Sequence, residues 1–112
     1  MTGAAKRKGD KAELEVQELL RRLLGVPARR ALGAGRLDDV GDIDGVPDTC
    51  ISVANWPKRG TLRAVREKPV QAEEQRRNKG SSFVATFVRL QGGEYRVVLT
   101  PEQWAAYWTE VR

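Results

Sequence analysis

Two short apolar runs constrain this chain most. Thr49–Asn55 alternates as a central strand, with Ile51 and Val53 on one face and Cys50, Ser52 and Ala54 on the other. Phe83–Leu90 is a second apolar strand, and Gly92-Gly93 turns it into a third, Tyr95–Leu99. The stretch between the first two, Thr61–Asn78, reads as a helix that Pro69 kinks or divides. Strands separated by helix-length segments must bury their faces against helices, so the expected class is α/β.

The rest of the chain fits that frame. Asp10 and Glu13 stand at capping-box spacing before an amphipathic stretch, 11–24, whose apolar positions are Val16, Leu19, Leu20, Leu23 and Leu24. Gly25 and Pro27 end that helix. Ala28–Leu37 predicts a short strand with a glycine-rich turn at Gly33-Ala34-Gly35, and Val40–Val46 predicts another strand. Thr100, Pro101 and Gln103 open a final helix as N-cap, first residue and capping-box partner. Trp104, Ala105, Tyr107, Trp108 and Val111 are expected to face the core from it. The predicted order is αβββαββα, a mixed sheet flanked by helices. The 112 residues suit one domain, with 1–9 as a flexible basic arm.

Composition narrows the chemistry. With no histidine and one cysteine, histidine triads, histidine-based metal sites and an internal disulfide are excluded. No apolar stretch is long enough to span a membrane and no leader is evident, so a cytoplasmic location is expected. Twenty basic against fifteen acidic residues give a net charge of +5, which suits a polyanionic partner. Residues 19–37 hold Arg21, Arg22, Arg29, Arg30 and Arg36 and no acid, whereas 38–48 hold Asp38, Asp39, Asp42, Asp44 and Asp48 and no base. An acidic knot between basic segments repels phosphate unless a divalent cation reverses its charge.

Glu13 lies at the edge of the first helix's apolar stripe, where a carboxylate is expensive unless it is used; a capping-box role is the alternative. Asp42 and Asp44 share one face of their strand, with Ile43 opposite. Magnesium takes oxygen ligands and commonly needs one or two carboxylates plus water.

The run Lys8-Gly9-Asp10-Lys11-Ala12-Glu13-Leu14-Glu15, then Arg29-Arg30, Gly33-Ala34-Gly35, Gly41-Asp42-Ile43-Asp44 and a hydrophobic strand resembles the PD-(D/E)XK nuclease superfamily. Within it, the archaeal-type Holliday junction resolvases and their phage-encoded relatives are the nearest pattern. The resemblance implies a restriction-endonuclease-like fold. It also implies a magnesium-dependent endonuclease (manganese substituting) that cuts branched DNA, such as four-way junctions, as a homodimer with no small-molecule cofactor. Glu13 and Asp42 match the family's metal-holding carboxylates, with Asp44 a possible substitute. The family then expects Glu-x-Lys, where this chain has Ser52 and Ala54. Three explanations stand open: Ala54 is an inactivating replacement, the lysine has moved with Lys58 the nearest candidate, or the domain binds DNA without cutting it. Lys8, Arg29, Arg30, Arg36, Lys58 and Arg59 are the expected phosphate contacts, extended by Lys6 and Arg7. Trp56 is either a stacking platform for an unpaired base or a packing residue.

Overall fold

The computed structural model describes residues 3–31 and 39–111, with side chains from residue 9 onward. Helix α1 spans Gly3–Leu24, and the short strands β1 (Arg29–Arg30) and β2 (Ile43–Asp44) follow. Then come β3 (Thr49–Ala54), a single turn at Lys58–Gly60, α2 (Thr61–Lys79), β4 (Phe83–Arg89), β5 (Tyr95–Val98) and α3 (Pro101–Val111). The predicted element order holds throughout.

The five strands lie in chain order, β1-β2-β3-β4-β5. β3 and β4 are parallel and every other pair is antiparallel. A parallel pair cannot be joined by a hairpin, so α2 is the crossover between them. Period-two alternation sorts β3 cleanly. Ile51 and Val53 join Ile43, Ala85 and Phe87 in a core against Ala12, Val16 and Leu20 of α1. On the opposite face Cys50 packs with Ala72 and Val84, and Ala54 with Ala64 and Val88. α1 therefore covers one face of the sheet and α2 the other.

Three expectations need correction. α1 begins at Gly3 rather than residue 11, so Asp10 and Glu13 are not its cap, and a flexible 1–9 arm gives way to helix from Gly3. Leu23 and Leu24 are exposed, because the last turn extends beyond the cover of the sheet. β1 and β2 are shorter than predicted, and the Gly33-Ala34-Gly35 turn lies outside the described residues.

Pro69 neither breaks nor divides α2. Its ring is buried and its carbonyl accepts the Gln103 side-chain amide at 2.8 Å, so α3 braces the turn where the ladder loses a donor. Gln103 also completes the predicted capping box: Thr100 N–H donates to Gln103 Oε1 at 3.0 Å and Gln103 N–H to Thr100 Oγ1 at 3.1 Å. α3 docks through Gln103 and through Tyr107, which stacks on Phe83 and donates to the Val84 carbonyl. Trp104 and Trp108 are not core residues. They stack on each other and stay 57% and 51% exposed.

Two glycines fix the segment that carries Asp42. Gly41 and Gly45 both adopt positive φ, 95° and 94°. A Cβ on Gly41 would lie 2.8 Å from the Ile51 carbonyl oxygen, and one on Gly45 would lie 2.2 Å from that of Pro27. Backbone occupies the space on both sides of the Asp42-Ile43-Asp44 run.

Candidate active site

The acidic knot separates into individual roles. Asp39 accepts the Gln75 amide at 2.7 Å, and its carbonyl accepts Asn78, so it ties the segment before β2 to α2. Asp48 caps the start of β4 by accepting the Ser82 N–H at 2.9 Å. Asp44 faces α2 and pairs with Lys79 at 3.5 Å. That pairing takes Asp44 away from the expected metal set. Asp38 lies outside the described residues.

Asp42 is placed differently. Its N–H donates to the Ile51 carbonyl at 2.8 Å, the last rung between this segment and β3. Its carboxylate then accepts the Val53 N–H at 2.7 Å, replacing the strand partner that β3 lacks beyond that point. Burial is the largest influence on Asp42 and holds its carboxyl above the ordinary value. The Val53 bond and the charge of Lys68 oppose this, and Asp39 adds to it.

Glu13 approaches from α1, within electrostatic reach of Asp42. Burial first, and then the charge of Asp42, raise its carboxyl above the ordinary range against the pull of Arg30. Arg30 is also engaged inside the fold, with its side chain 35% exposed. Its Nε donates to Glu13 at 3.0 Å, its terminal nitrogen pairs with Asp10, and its backbone N–H donates to Gln17 at 3.0 Å. The pair that looked like a cap is thus one helical turn grasping an arginine of β1.

Ser52 and Ala54 lie beneath α2. Ser52 is register partner to Thr86 across the parallel pair, and both are fully buried. Neither hydroxyl has a hydrogen-bond partner. Ala54 is enclosed by Ala64 and Val88. At these two positions the chain supplies no carboxylate and no cation. Burial pushes the nearby Cys50 thiol up to about 11, so Cys50 is not a thiolate nucleophile at neutral pH.

Among the described residues, no group of three or more cysteine or acidic side chains gathers to hold a metal. Glu13 and Asp42 are two carboxylates within electrostatic reach of each other, both partly desolvated. That donor set fits a hydrated hard cation such as magnesium, which keeps several waters, and does not fit a cation needing a full protein cage.

Of the expected phosphate contacts, Arg29, Lys58 and Arg59 are exposed. Arg36 and the Lys8 side chain, with those of Lys6 and Arg7, lie outside the described residues. Trp56 packs partly against the Ala54 cluster, with Arg63 5.9 Å from its ring centre. Lys68 of α2, which the sequence reasoning did not single out, is the basic side chain whose charge acts on Asp42. Its helical position between Ala64 and Ala72 was the available signal.

No protein-family model matches this chain, and no curated protein or solved structure matches it. Among the described residues, no helix is long and apolar enough to cross a membrane.

Proposed function

We propose that this chain is a metal-dependent endonuclease of the PD-(D/E)XK type, with a restriction-endonuclease-like arrangement of its mixed sheet, that acts on branched DNA as a homodimer. The observation that carries this is that Asp42 lies near enough for its charge to raise the Glu13 carboxyl, while Asp42 itself is anchored by the Val53 amide. A magnesium or manganese ion held by Glu13 and Asp42 would supply an activated water and offset charge on the attacked phosphate. Arg30 orients Glu13 from β1. Arg29, Lys58 and Arg59 meet the DNA backbone without reading sequence. Such a protein works on the DNA of a bacterial or phage-infected cell, in its cytoplasm.

One observation favours a second reading. Ala54 sits in a closed alanine and valine cluster, as in a DNA-binding module with this fold that does not cut.

The test incubates the protein, Asp42→Asn and Ala54→Lys with a labelled four-way junction and with duplex of equal length, with and without magnesium. Magnesium-dependent cutting of the junction that Asp42→Asn abolishes supports the nuclease. Junction binding with no cutting by the protein or by Ala54→Lys supports the binding module.

A further inference from the structure

The parallel strands β3 and β4 end side by side, with Ala54 opposite Val88, and their chains then part. β3 runs on to the turn before α2, and β4 turns through Gln91–Gly93 into β5. Open α/β sheets hold ligands in crevices of this kind, outside the carboxyl ends of parallel strands. Here the crevice is a pocket of about 240 Å³. Asn55, Trp56 and Lys58 line it from the β3 side, Thr61 from the start of α2, and Arg89 and Gly92 from the β4 side.

Its chemistry is an aromatic ring beside an uncommitted cation. Trp56 is partly buried, packed against the cluster of Ala54, Ala64 and Val88 with Gly60 close against it. Packing of that kind holds an indole still without covering it. Arg63 stands 5.9 Å from the ring centre with its side chain 75% exposed, so it can close over a base laid on the indole. Arg89 is neutralised by Glu15 at 2.7 Å, and no carboxylate lines the pocket among the described residues. Lys58 is exposed, and no ion pair among the described residues uses it.

A basic face leads away from the pocket. Residues 55–66 hold Lys58, Arg59, Arg63 and Arg66 and no acid. Arg59, Arg63 and Arg66 line one groove with the exposed Leu62 and with Glu67, which pairs with Arg63. Spaced cations track a phosphate backbone, and an aromatic ring takes a base that is not paired. The other exposed tryptophans do not offer this. Trp104 and Trp108 stack on each other, and α3 carries Glu102 and Glu110 with no lysine or arginine.

We propose that this pocket takes an unpaired nucleotide of a DNA strand, its base stacked on Trp56 and its phosphate on Lys58, with the strand continuing along Arg59, Arg63 and Arg66. The inference rests on the DNA binding proposed above and not on cutting. Val53, whose amide holds Asp42, lies just before Asn55 and Trp56 on the same chain, so a strand in the pocket passes close to the proposed metal site.

The test uses the full-length protein, Trp56→Leu, Trp56→Tyr, Lys58→Gln and, as a control, Trp104→Leu, with thermal melts to confirm folding. Each is titrated with a labelled single-stranded oligonucleotide, with duplex of equal length, and with a forked duplex carrying 2-aminopurine at its first unpaired position. Stacking on Trp56 quenches the 2-aminopurine. In Trp56→Leu the quench is lost and single-strand affinity falls by about tenfold or more, while duplex affinity holds. Trp56→Tyr keeps both signals, and Trp104→Leu matches the parent. Lys58→Gln, on an exposed turn, lowers the slope of log single-strand affinity against log salt by about 1, and it decides the matter if Trp56→Leu does not fold. A folded Trp56→Leu that binds the single strand as tightly as the parent, or an unchanged slope in Lys58→Gln, overturns the pocket and leaves the endonuclease reading standing. A parent that binds no DNA overturns both. Deoxyadenosine monophosphate that displaces the strand at concentrations matching the strand's own affinity assigns the pocket to a free nucleotide and overturns the strand as its occupant.

Discussion

The Val53 N–H donates to the Asp42 carboxylate at 2.7 Å, so the side chain proposed to hold metal also ends the ladder of β3. Structure and chemistry ask different things of that carboxylate. The structure needs an acceptor and the chemistry needs a charge. Burial makes the charge costly, which holds the Asp42 carboxyl above its ordinary 3.8. The folded state therefore binds the proton more tightly than the unfolded chain. The stability this confers is present below 3.8 and is lost as pH rises through the folded value.

Asp42→Asn keeps an acceptor for Val53 and removes the charge. Its melting temperature at neutral pH should exceed that of the parent by about 2–5 °C. The gain should disappear below the ordinary carboxylate range, where Asp42 is neutral in both chains. Thermal melts on either side of that range check both statements, and cutting should be lost.

Arg30 joins β1 to α1 through Glu13 and Asp10. Arg30→Met leaves two carboxylates on one turn of α1 beside Asp42. It should cost about 1–3 kcal/mol in urea unfolding. Arg30→Lys should recover less than half, because one ammonium cannot reproduce the forked contacts of a guanidinium.

Ser52 has a buried hydroxyl with no partner. Ser52→Ala removes that unsatisfied group at little cost in volume and should stabilise the protein by about 1 kcal/mol in denaturant unfolding. A loss of similar size would mean that the hydroxyl holds a water.

α3 reverses the usual ranking of glutamine and tryptophan. Gln103 is 5% exposed and connects its own N-cap to Pro69, whereas Trp104 is 57% exposed. Gln103→Ala should cost about 2 kcal/mol, the sum of a lost cap and a lost anchor, and Trp104→Ala less than about 1 kcal/mol. Chemical denaturation of the two variants checks the order.

The element order was legible because the signals behind it are local. Alternation at Thr49–Ala54 and the Thr100–Gln103 box need no tertiary partner to be read. Glu13 was singled out from the sequence because a carboxylate at the margin of an apolar stripe stands out, and the fold puts the charge of Asp42 within reach of it. The knot was not legible, because Asp39, Asp44 and Asp48 find their partners on α2 and just before β4, far along the chain. The partners of Arg30 were hidden for the same reason, since only the folded chain brings α1 beside it. Trp104 and Trp108 follow a helical stripe, but periodicity does not say whether anything covers the stripe.

The glycines flanking Asp42 separate what ancestry can alter from what it cannot. Side chains at Gly41 and Gly45 would collide with the backbone of β3 and of the α1–β1 connection, so drift at either site is lethal to the fold whatever the protein is used for. Replacement of Asp42 by asparagine is not, because it keeps the acceptor for Val53 and removes only the charge. Among descendants of this sequence, the two glycines record only that the fold persists. An aspartate kept between them, against the pull of stability, records that selection still has a use for it.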